Sequence, residues 1–554
     1  MPPVQRAGSS FLRGVHRQDH PSPPTGKPVS PVGSWRLADS RDPFRITAGA
    51  GSPASPLRSF PLSVVSGLAA RRERSGPVPA SASCWLGARY ALAILSRPSR
   101  PGWSSALPAP RRRPGGIAPT PSPAAMARNT GHTRRPARRN SGLEQFVSYD
   151  GSLLSFLAEA CVPTPVPDEL RPSSRLLLGP GPSMVHPRVL RAMSTPLLGH
   201  LDPEFLAIMD ELQAMERAVF QTGNRFTIAL AGTGSAGMEA SLVNVVEPGD
   251  TVVVGVNGVF GGRLADISGR CGGRVVRLET PWGEVLPLER IEKALKKEKV
   301  KAVAVVHAET STGAQQPLEG LGDLCHEHGA LLIVDAVTSL GGVPVEVDRH
   351  GIDICYSGTQ KCLSCPPGLA PITLSPRALE VASARTGKVQ SWYLDLSMIA
   401  DYWTEGKRVY HHTAPISMVY ALREALRLVL EEGLAARFER HRRHSAALMA
   451  GLLELGCTPK AAEGHRLPSL NCVVTPKGVE EAPVRRALLM ESNIEIGGGL
   501  GPLSGTVWRI GLMGESARQE NVLAVLGALE QALARAGRNV KPGAALSAAA
   551  ASYR

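Results

Sequence analysis

Between about residues 176 and 357 the chain alternates short apolar runs with amphipathic stretches. The runs have strand length: FTIALA (226–231), TVVVGV (251–256), RVVRLE (274–279), AVAVVH (302–307), LLIVDA (331–336) and IDICYS (352–357). They lack clear apolar/polar alternation, the pattern of strands covered by helices on both faces. MEASLVNVV, GGRLADISGRC, LERIEKALKK and LEGLGDLCHEHG read as helices between most of them. This order predicts an α/β domain with a mostly parallel sheet, whose ligands collect at the carboxyl ends of the strands.

After Tyr410 the pattern changes. SMVYALREALRLVLEEG and LAARFERHRRHSAALMAGLLELG read as long helices closed by Gly433 and Gly456, residues suited to the position just past a helix end. NCVVTP, a helix around 484–491, a hairpin region at IEIGGGLGPLSGTVWRIGLMG and a last helix near 521–534 complete a smaller α+β domain. The expected organisation is a disordered basic extension (1–140), an arm (141–175), a large domain (176–432), a small domain (433–541) and a disordered Ala-rich tail (542–554).

Charge sharpens this division. Residues 1–140 hold 22 Lys+Arg against 4 Asp+Glu, and the remainder holds 40 against 44. The basic character therefore belongs to a Pro-, Ser-, Gly- and Arg-rich extension, and no nucleic-acid partner is expected for the mildly acidic remainder. The extension has three readings: an Arg-rich, acid-poor organellar transit segment, a solvated arm with affinity for polyanions, or residues absent from the mature protein because Met126 serves as the start. Its apolar run CWLGARYALAIL is shorter than the ~20 residues that span a bilayer and contains Arg89, so no membrane span is expected. Nine cysteines without a framework read as reduced thiols in a cytosol-like compartment; a mitochondrial address follows if residues 1–125 are a transit segment. The terminal ASYR does not match the peroxisomal Ser-Lys-Leu signal. Cys362 and Cys365 have CxxC spacing without a second ligand pair, and the adjacent His411 and His412 suit one ion poorly, so no metal is expected.

Three features carry candidate chemistry. Gly232, Gly234 and Gly237 in LAGTGSAGMEA fit GxGxxG, but the next strand ends in Asn257 rather than the acidic residue that a dinucleotide ribose needs. Either backbone amides and the Thr233 and Ser235 hydroxyls face a phosphate at a helix N-terminus, or the glycines serve packing alone. Asp335 ends a buried strand, where it either caps a helix or meets a cationic ring nitrogen; Val337 would share its face in an extended chain. Lys361 follows the next strand onto the same rim, flanked by hydroxyls and an amide. Burial there would depress its pKa and make it nucleophilic, as Schiff-base chemistry requires. A phosphate cradle, a rim carboxylate and a rim lysine in that order fit pyridoxal 5'-phosphate.

From about residue 175 to 535 the chain resembles the alanine–glyoxylate and serine–pyruvate aminotransferases, class V members of the fold-type-I pyridoxal phosphate enzymes. LLLGPGPS (176–183), GTGSAGMEASLVNVVEPGD (232–250), GVNGVFGGR (255–263), HAETSTG (307–313), VDAVTSLGG (334–342), YSGTQKCLSCPPG (356–368), YHHTAP (410–415) and WRIGLMG (508–514) carry the resemblance. It implies a large domain with a mostly parallel seven-stranded sheet and a smaller C-terminal α+β domain. It also implies that Lys361 forms the Schiff base and moves the substrate Cα proton, while Asp335 keeps the ring nitrogen protonated. Phe260, in place of a Trp in some relatives, would stack on one ring face and Val337 on the other, with Thr310 near the ring hydroxyl. Thr233, Gly234, Ser235 and Gln360 would bind phosphate with the partner's Tyr410 and Thr413, Ser235 standing where some relatives have His. Arg509 would clamp the substrate carboxylate, a task suited to a planar bidentate donor. The implied activity moves an amino group from alanine or serine to glyoxylate or pyruvate, in a homodimer with shared sites. The alternative is another fold-type-I enzyme, such as a lyase or a cysteine desulfurase, the latter requiring a mobile nucleophilic cysteine.

Overall fold

The computed structural model describes residues 166–404 and 406–554. The basic extension (1–140) and residues 141–165 of the expected arm lie outside the described residues. A seven-stranded sheet forms the larger core: Phe226–Ala231 (β1), Thr251–Val256 (β2), Arg274–Glu279 (β3), Ala302–Val306 (β4), Leu331–Asp335 (β5), Ile354–Tyr356 (β6) and Leu369–Leu374 (β7). Their order across the sheet is β3-β2-β4-β5-β6-β7-β1. β2 through β6 pair in parallel, and β7 runs against both β6 and β1. All of these strands except β3 are buried along their whole length, which accounts for their continuous apolar composition. β3 is one of the two edges, and its exposed Arg274, Arg277 and Glu279 carry charge, a device that discourages pairing with another chain.

Thirteen helices lie among the described residues. Pro187–Met193 (α1) and Pro203–Phe220 (α2) precede the sheet; Gly234–Val243 (α3), Val259–Arg270 (α4), Leu288–Lys297 (α5) and Leu321–Glu327 (α6) connect its first five strands. Pro376–Ser383 (α7), Leu396–Trp403 (α8) and Ile416–Glu432 (α9) follow β7. Local chemistry fixes several starts. Asp202 accepts the Glu204 amide with Pro203 in the first turn of α2, and Ser375 accepts the Ala378 amide with Pro376 opening α7.

The second core is built by Leu434–Glu454 (α10), Glu481–Glu491 (α11), Gln519–Arg535 (α12) and Ala544–Ala551 (α13). Its antiparallel sheet contains Thr458–Pro459 (β8), Leu470–Val474 (β9), Gly497–Gly498 (β10) and Val507–Gly511 (β11), ordered β8-β9-β11-β10. Trp508, Ile510, Leu448, Leu452 and Leu526 are buried between these layers. Two boundaries differ from the sequence reading. Leu176–Leu177, expected to open the large domain, pair in parallel with Ile494–Glu495, and Leu178 is buried in the second core. Residues 542–554, expected to be disordered, contain α13. Small side chains let α13 approach α10: a Cβ on Gly451 would stand 2.9 Å from the Ala545 carbonyl. The Glu530 carboxylate accepts the Gly543 and Ala545 amides at 3.0 and 2.8 Å, closing the helix start.

One residue breaks the apolar pattern of the larger core. Glu216 lies on the same face of α2 as Met209, Leu212, Val219 and Phe220, 1 % exposed, and among the described residues neither carboxyl oxygen has a hydrogen-bond partner. Burial drives its pKa well above 4.5. With the folded pKa raised above the unfolded value, its penalty is absent below about pH 4.5 and grows as pH rises. Glu216→Met should therefore raise stability at pH 8 by ~1–3 kcal/mol, with a smaller gain near pH 5, measured by urea unfolding at both values. A less stable variant at pH 8 would show that the carboxylate is satisfied in solution.

Candidate active site

Because β7 alone runs the other way, the carboxyl ends of β1, β2, β4, β5 and β6 open onto one edge. The pocket there is lined by Thr233, Gly234 and Ser235 after β1, Phe260 and Arg263 after β2, Thr310 after β4, Asp335 and Val337 at the end of β5, and Gln360 and Lys361 after β6. A larger groove of about 820 Å³ lies at the opposite edge, beside Phe226 at the start of β1, and carries none of these groups.

Asp335 is buried, and register places it opposite Tyr356. Its Oδ1 accepts the Val337 amide at 2.9 Å, and its Oδ2 accepts the Tyr356 hydroxyl at 2.8 Å. Burial raises its pKa to about 6, helped by the negative charge of Glu309 and opposed by these two donors and by Lys361. Lys361 is 9 % exposed, and burial lowers its pKa to about 8, with Arg509 acting in the same direction. No ion pair joins Lys361 to Asp335: Nζ instead donates to the Pro180 carbonyl. Gly181, at φ +107°, passes so close that a Cβ would lie 2.6 Å from Nζ.

The loop that carries Lys361 is fixed from behind. Arg437 on α10 is buried and donates from Nε to the Gly341 carbonyl at 2.9 Å and from Nη2 to the Cys362 carbonyl at 2.6 Å. Glu432 pairs with both Arg437 and Arg440; burial alone would raise its pKa, but the two guanidinium groups prevail and bring it to about 2. His441 bonds the Arg437 carbonyl through Nδ1 and accepts the Gly514 amide at Nε2, and burial lowers its pKa to about 3, so it stays neutral.

Phe260 is placed by a carboxylate that the sequence reading passed over. Glu309 is fully buried; its Oε2 accepts the Phe260 and Gly261 amides in the first turn of α4, and its Oε1 accepts the Ser311 amide and hydroxyl. Burial raises its pKa against these four donors. The signal was present in HAETSTG together with GVNGVFGGR: a Cβ on Gly258 would lie 2.3 Å from the Glu309 carboxyl carbon, so the glycine admits the acid. Tyr356, Arg263 and the Pro180–Gly181 backbone were likewise inside quoted motifs without an assigned role.

The residues present fit pyridoxal phosphate. Thr233 makes no side-chain cap to α3, and the Gly234 and Ser235 amides have no acceptor among the described residues, leaving the helix N-terminus open to an anion. Gln360 has a buried Oε1 in the same pocket with no partner among the described residues, and a Cβ on Gly234 would press against Val337 at 3.0 Å. Thr310 and Thr338 share a hydroxyl bond of 2.6 Å. Arg509 is buried on β11; its Nε donates to Gly498 O and its Nη1 to Thr310 O, while Nη2 has no acceptor among the described residues. Tyr410 and Thr413 lie outside this pocket on the surface, Tyr410 beside the His200 ring at 5.1 Å. His307 is buried, and its Nδ1 has no partner among the described residues.

Comparison with known proteins identifies the family. The aminotransferase class-V family profile matches residues 176–512. An (S)-ureidoglycine–glyoxylate transaminase of Bacillus subtilis is 46% identical over 69% of this chain and 96% of its own length. An alanine–glyoxylate aminotransferase of Rattus norvegicus is 44% identical over 66% of this chain and 89% of its own. The crystal structure of a Nostoc alanine–glyoxylate aminotransferase superposes with a TM-score of 0.66 at 53% identity, covering 67% of this chain and 98% of that one. Motifs, pocket and fold-type-I architecture thus converge with a match over more than half of its length, and the chain belongs to the class-V aminotransferases, which use pyridoxal phosphate.

Proposed function

We propose that this transaminase takes an amino group from a small amino acid, alanine or serine, and passes it to a small 2-oxo acid, glyoxylate or pyruvate, working as a homodimer. The observation that carries the substrate reading is Arg509. It is a buried guanidinium beside Lys361 with Nη2 unused, so it presents one planar donor set to one α-carboxylate. Among the described residues the cations lining the pocket itself are Lys361 and Arg263, Arg263 standing at the α3 end by Ser235, while Arg509 reaches its rim through the Thr310 carbonyl. Among the described residues no second clamp lines the pocket to serve a side-chain carboxylate, so short donors are favoured. The two relatives named for different donors share glyoxylate in their names, which supports that acceptor.

When bound, pyridoxal phosphate supplies the carbonyl that accepts the amino group and the ring that stores the electron pair left on Cα. The protein's part follows from its pKa values. At pH 7 about a tenth of a lysine with pKa 8 is free amine, several hundred times the fraction of an ordinary lysine, so Lys361 can attack and can carry a proton to and from Cα. Asp335 would hold the ring nitrogen in its charged form, and the Val337 amide and Tyr356 hydroxyl keep the carboxylate aimed. Phe260 and Val337 would bracket the ring, and Gly181 and Pro180 close over the amine. Exposed Tyr410 and Thr413 are available to complete the partner's phosphate site. A cysteine desulfurase is less well supported: burial raises the Cys362 and Cys472 thiols to about 11 and 12 and the Cys365 thiol further, which suppresses the thiolate.

With glyoxylate as acceptor, L-alanine or L-serine should exceed L-aspartate in kcat/KM by at least an order of magnitude. Preference for the dicarboxylic donor in a coupled 2-oxo acid assay would overturn the small-substrate reading. Lys361→Ala should keep its fold by circular dichroism yet lose the borohydride-trappable cofactor and nearly all turnover; wild-type turnover would remove Lys361 from the chemistry. In the wild type, cofactor affinity should fall as pH drops below about 6, because Asp335 gains a proton and loses the charge that holds the ring nitrogen. Asp335→Asn should bind weakly across the whole range and lose that pH dependence, read by fluorescence titration of the apoenzyme; an unchanged profile would assign the ring nitrogen to another group.

A further inference from the structure

We propose that Arg263 is the cation that neutralises the cofactor phosphate within the same subunit. Apart from Arg263, the described residues at the α3 end of the pocket offer neutral donors: two free amides, the Thr233 and Ser235 hydroxyls and the Gln360 carboxamide. A phosphate monoester carries a charge of about −1.5 to −2 at neutral pH, and a helix terminus supplies only about half a positive charge against it. Lys361 is committed to the chemistry, and Arg509 is tied to Thr310 and Gly498. Arg263 remains.

Its placement is built from the residues already described. Glu309 fixes the first turn of α4, and Phe260 and Arg263 are three residues apart on that helix, so they share a face. The guanidinium carbon lies 5.0 Å from the Phe260 ring centroid, and Nη1 donates to Ser235 Oγ at 3.3 Å. The aromatic face holds the cation in a fixed direction before any anion arrives. Among the described residues no carboxylate lies within 4.0 Å of Arg263, so its charge is not already used. Phe260 therefore has two tasks, contacting the ring of the cofactor and aiming the guanidinium at the phosphate. The proposal rests on the family cofactor and is independent of which donor or acceptor the enzyme uses.

The test compares apoenzyme of the wild type, Arg263→Gln and Arg263→Lys. Pyridoxal phosphate should bind Arg263→Gln on the order of tenfold more weakly, whereas pyridoxal, which lacks the phosphate, should bind both proteins alike. Inorganic phosphate should raise the melting temperature of wild-type apoenzyme and leave that of Arg263→Gln unmoved. Arg263→Lys keeps the charge without the planar fork and should recover part of the lost affinity. Equal weakening toward pyridoxal and pyridoxal phosphate would assign Arg263 a structural role only, and unchanged affinity for both with normal phosphate stabilisation would exclude it from the site. If Arg263→Gln fails to fold, the lysine variant decides alone: a selective loss toward the phosphorylated ligand supports the contact, and no selectivity overturns it.

Discussion

The site depends on keeping an amine and a carboxylate apart in a pocket that would otherwise drive them together. Direct pairing would satisfy both Lys361 and Asp335 and leave neither reactive. Instead each is held by uncharged partners, Lys361 by the Pro180 carbonyl and Asp335 by an amide and a phenol. Burial then moves both pKa values toward the neutral forms, to about 8 and about 6. The sheet enforces the separation. Asp335 ends β5, whereas Lys361 lies beyond the end of β6 on a turn that Arg437 fixes from behind. An inserted or deleted residue in that turn would move the amine away from the Pro180 carbonyl and out of the burial that sets its pKa.

Much of this was legible because the chemistry sits at strand ends, where sequence carries two signals at once. A continuous apolar run announces a covered strand, and the first polar residue after it announces the rim. Asp335 is that residue on its own strand, and the Thr233–Ser235 turn and Lys361 follow theirs within a few positions, so local reading placed them on one edge. Glu309, Tyr356 and Arg263 were harder for physical reasons. Tyr356 closes an apolar run and reads as core, although its hydroxyl points at Asp335. Glu309 acts across 49 residues on the Phe260 amide, a contact no local pattern reveals. Arg263 lies on a helix face that looks like ordinary solvated surface.

The departures from the sequence reading share a cause of another kind. An Ala-rich C-terminus has little hydrophobic area per residue and reads as disorder, yet small side chains permit the close approach that α13 makes to α10. Leu176–Leu178 read as the entry to the large domain because they adjoin it in sequence. Their pairing partners are more than three hundred residues later. Proximity along the chain was a poor guide wherever the partner surface was supplied by the second core.

That last pairing has a bearing on biosynthesis. The stretch from Leu176 to Pro182 carries the carbonyl that receives the Lys361 amine, and it is anchored through Ile494, Glu495 and the Gly511 amide, which donates to Leu178. During translation the N-terminal stretch emerges early but must wait for residues near 511 before its anchorage exists. If the large sheet assembles meanwhile, its lysine is still open to solvent and is protonated like an ordinary one. The low pKa of the amine thus waits on the second core, and a nascent chain halted before that core would carry Lys361 without the burial that makes it a nucleophile.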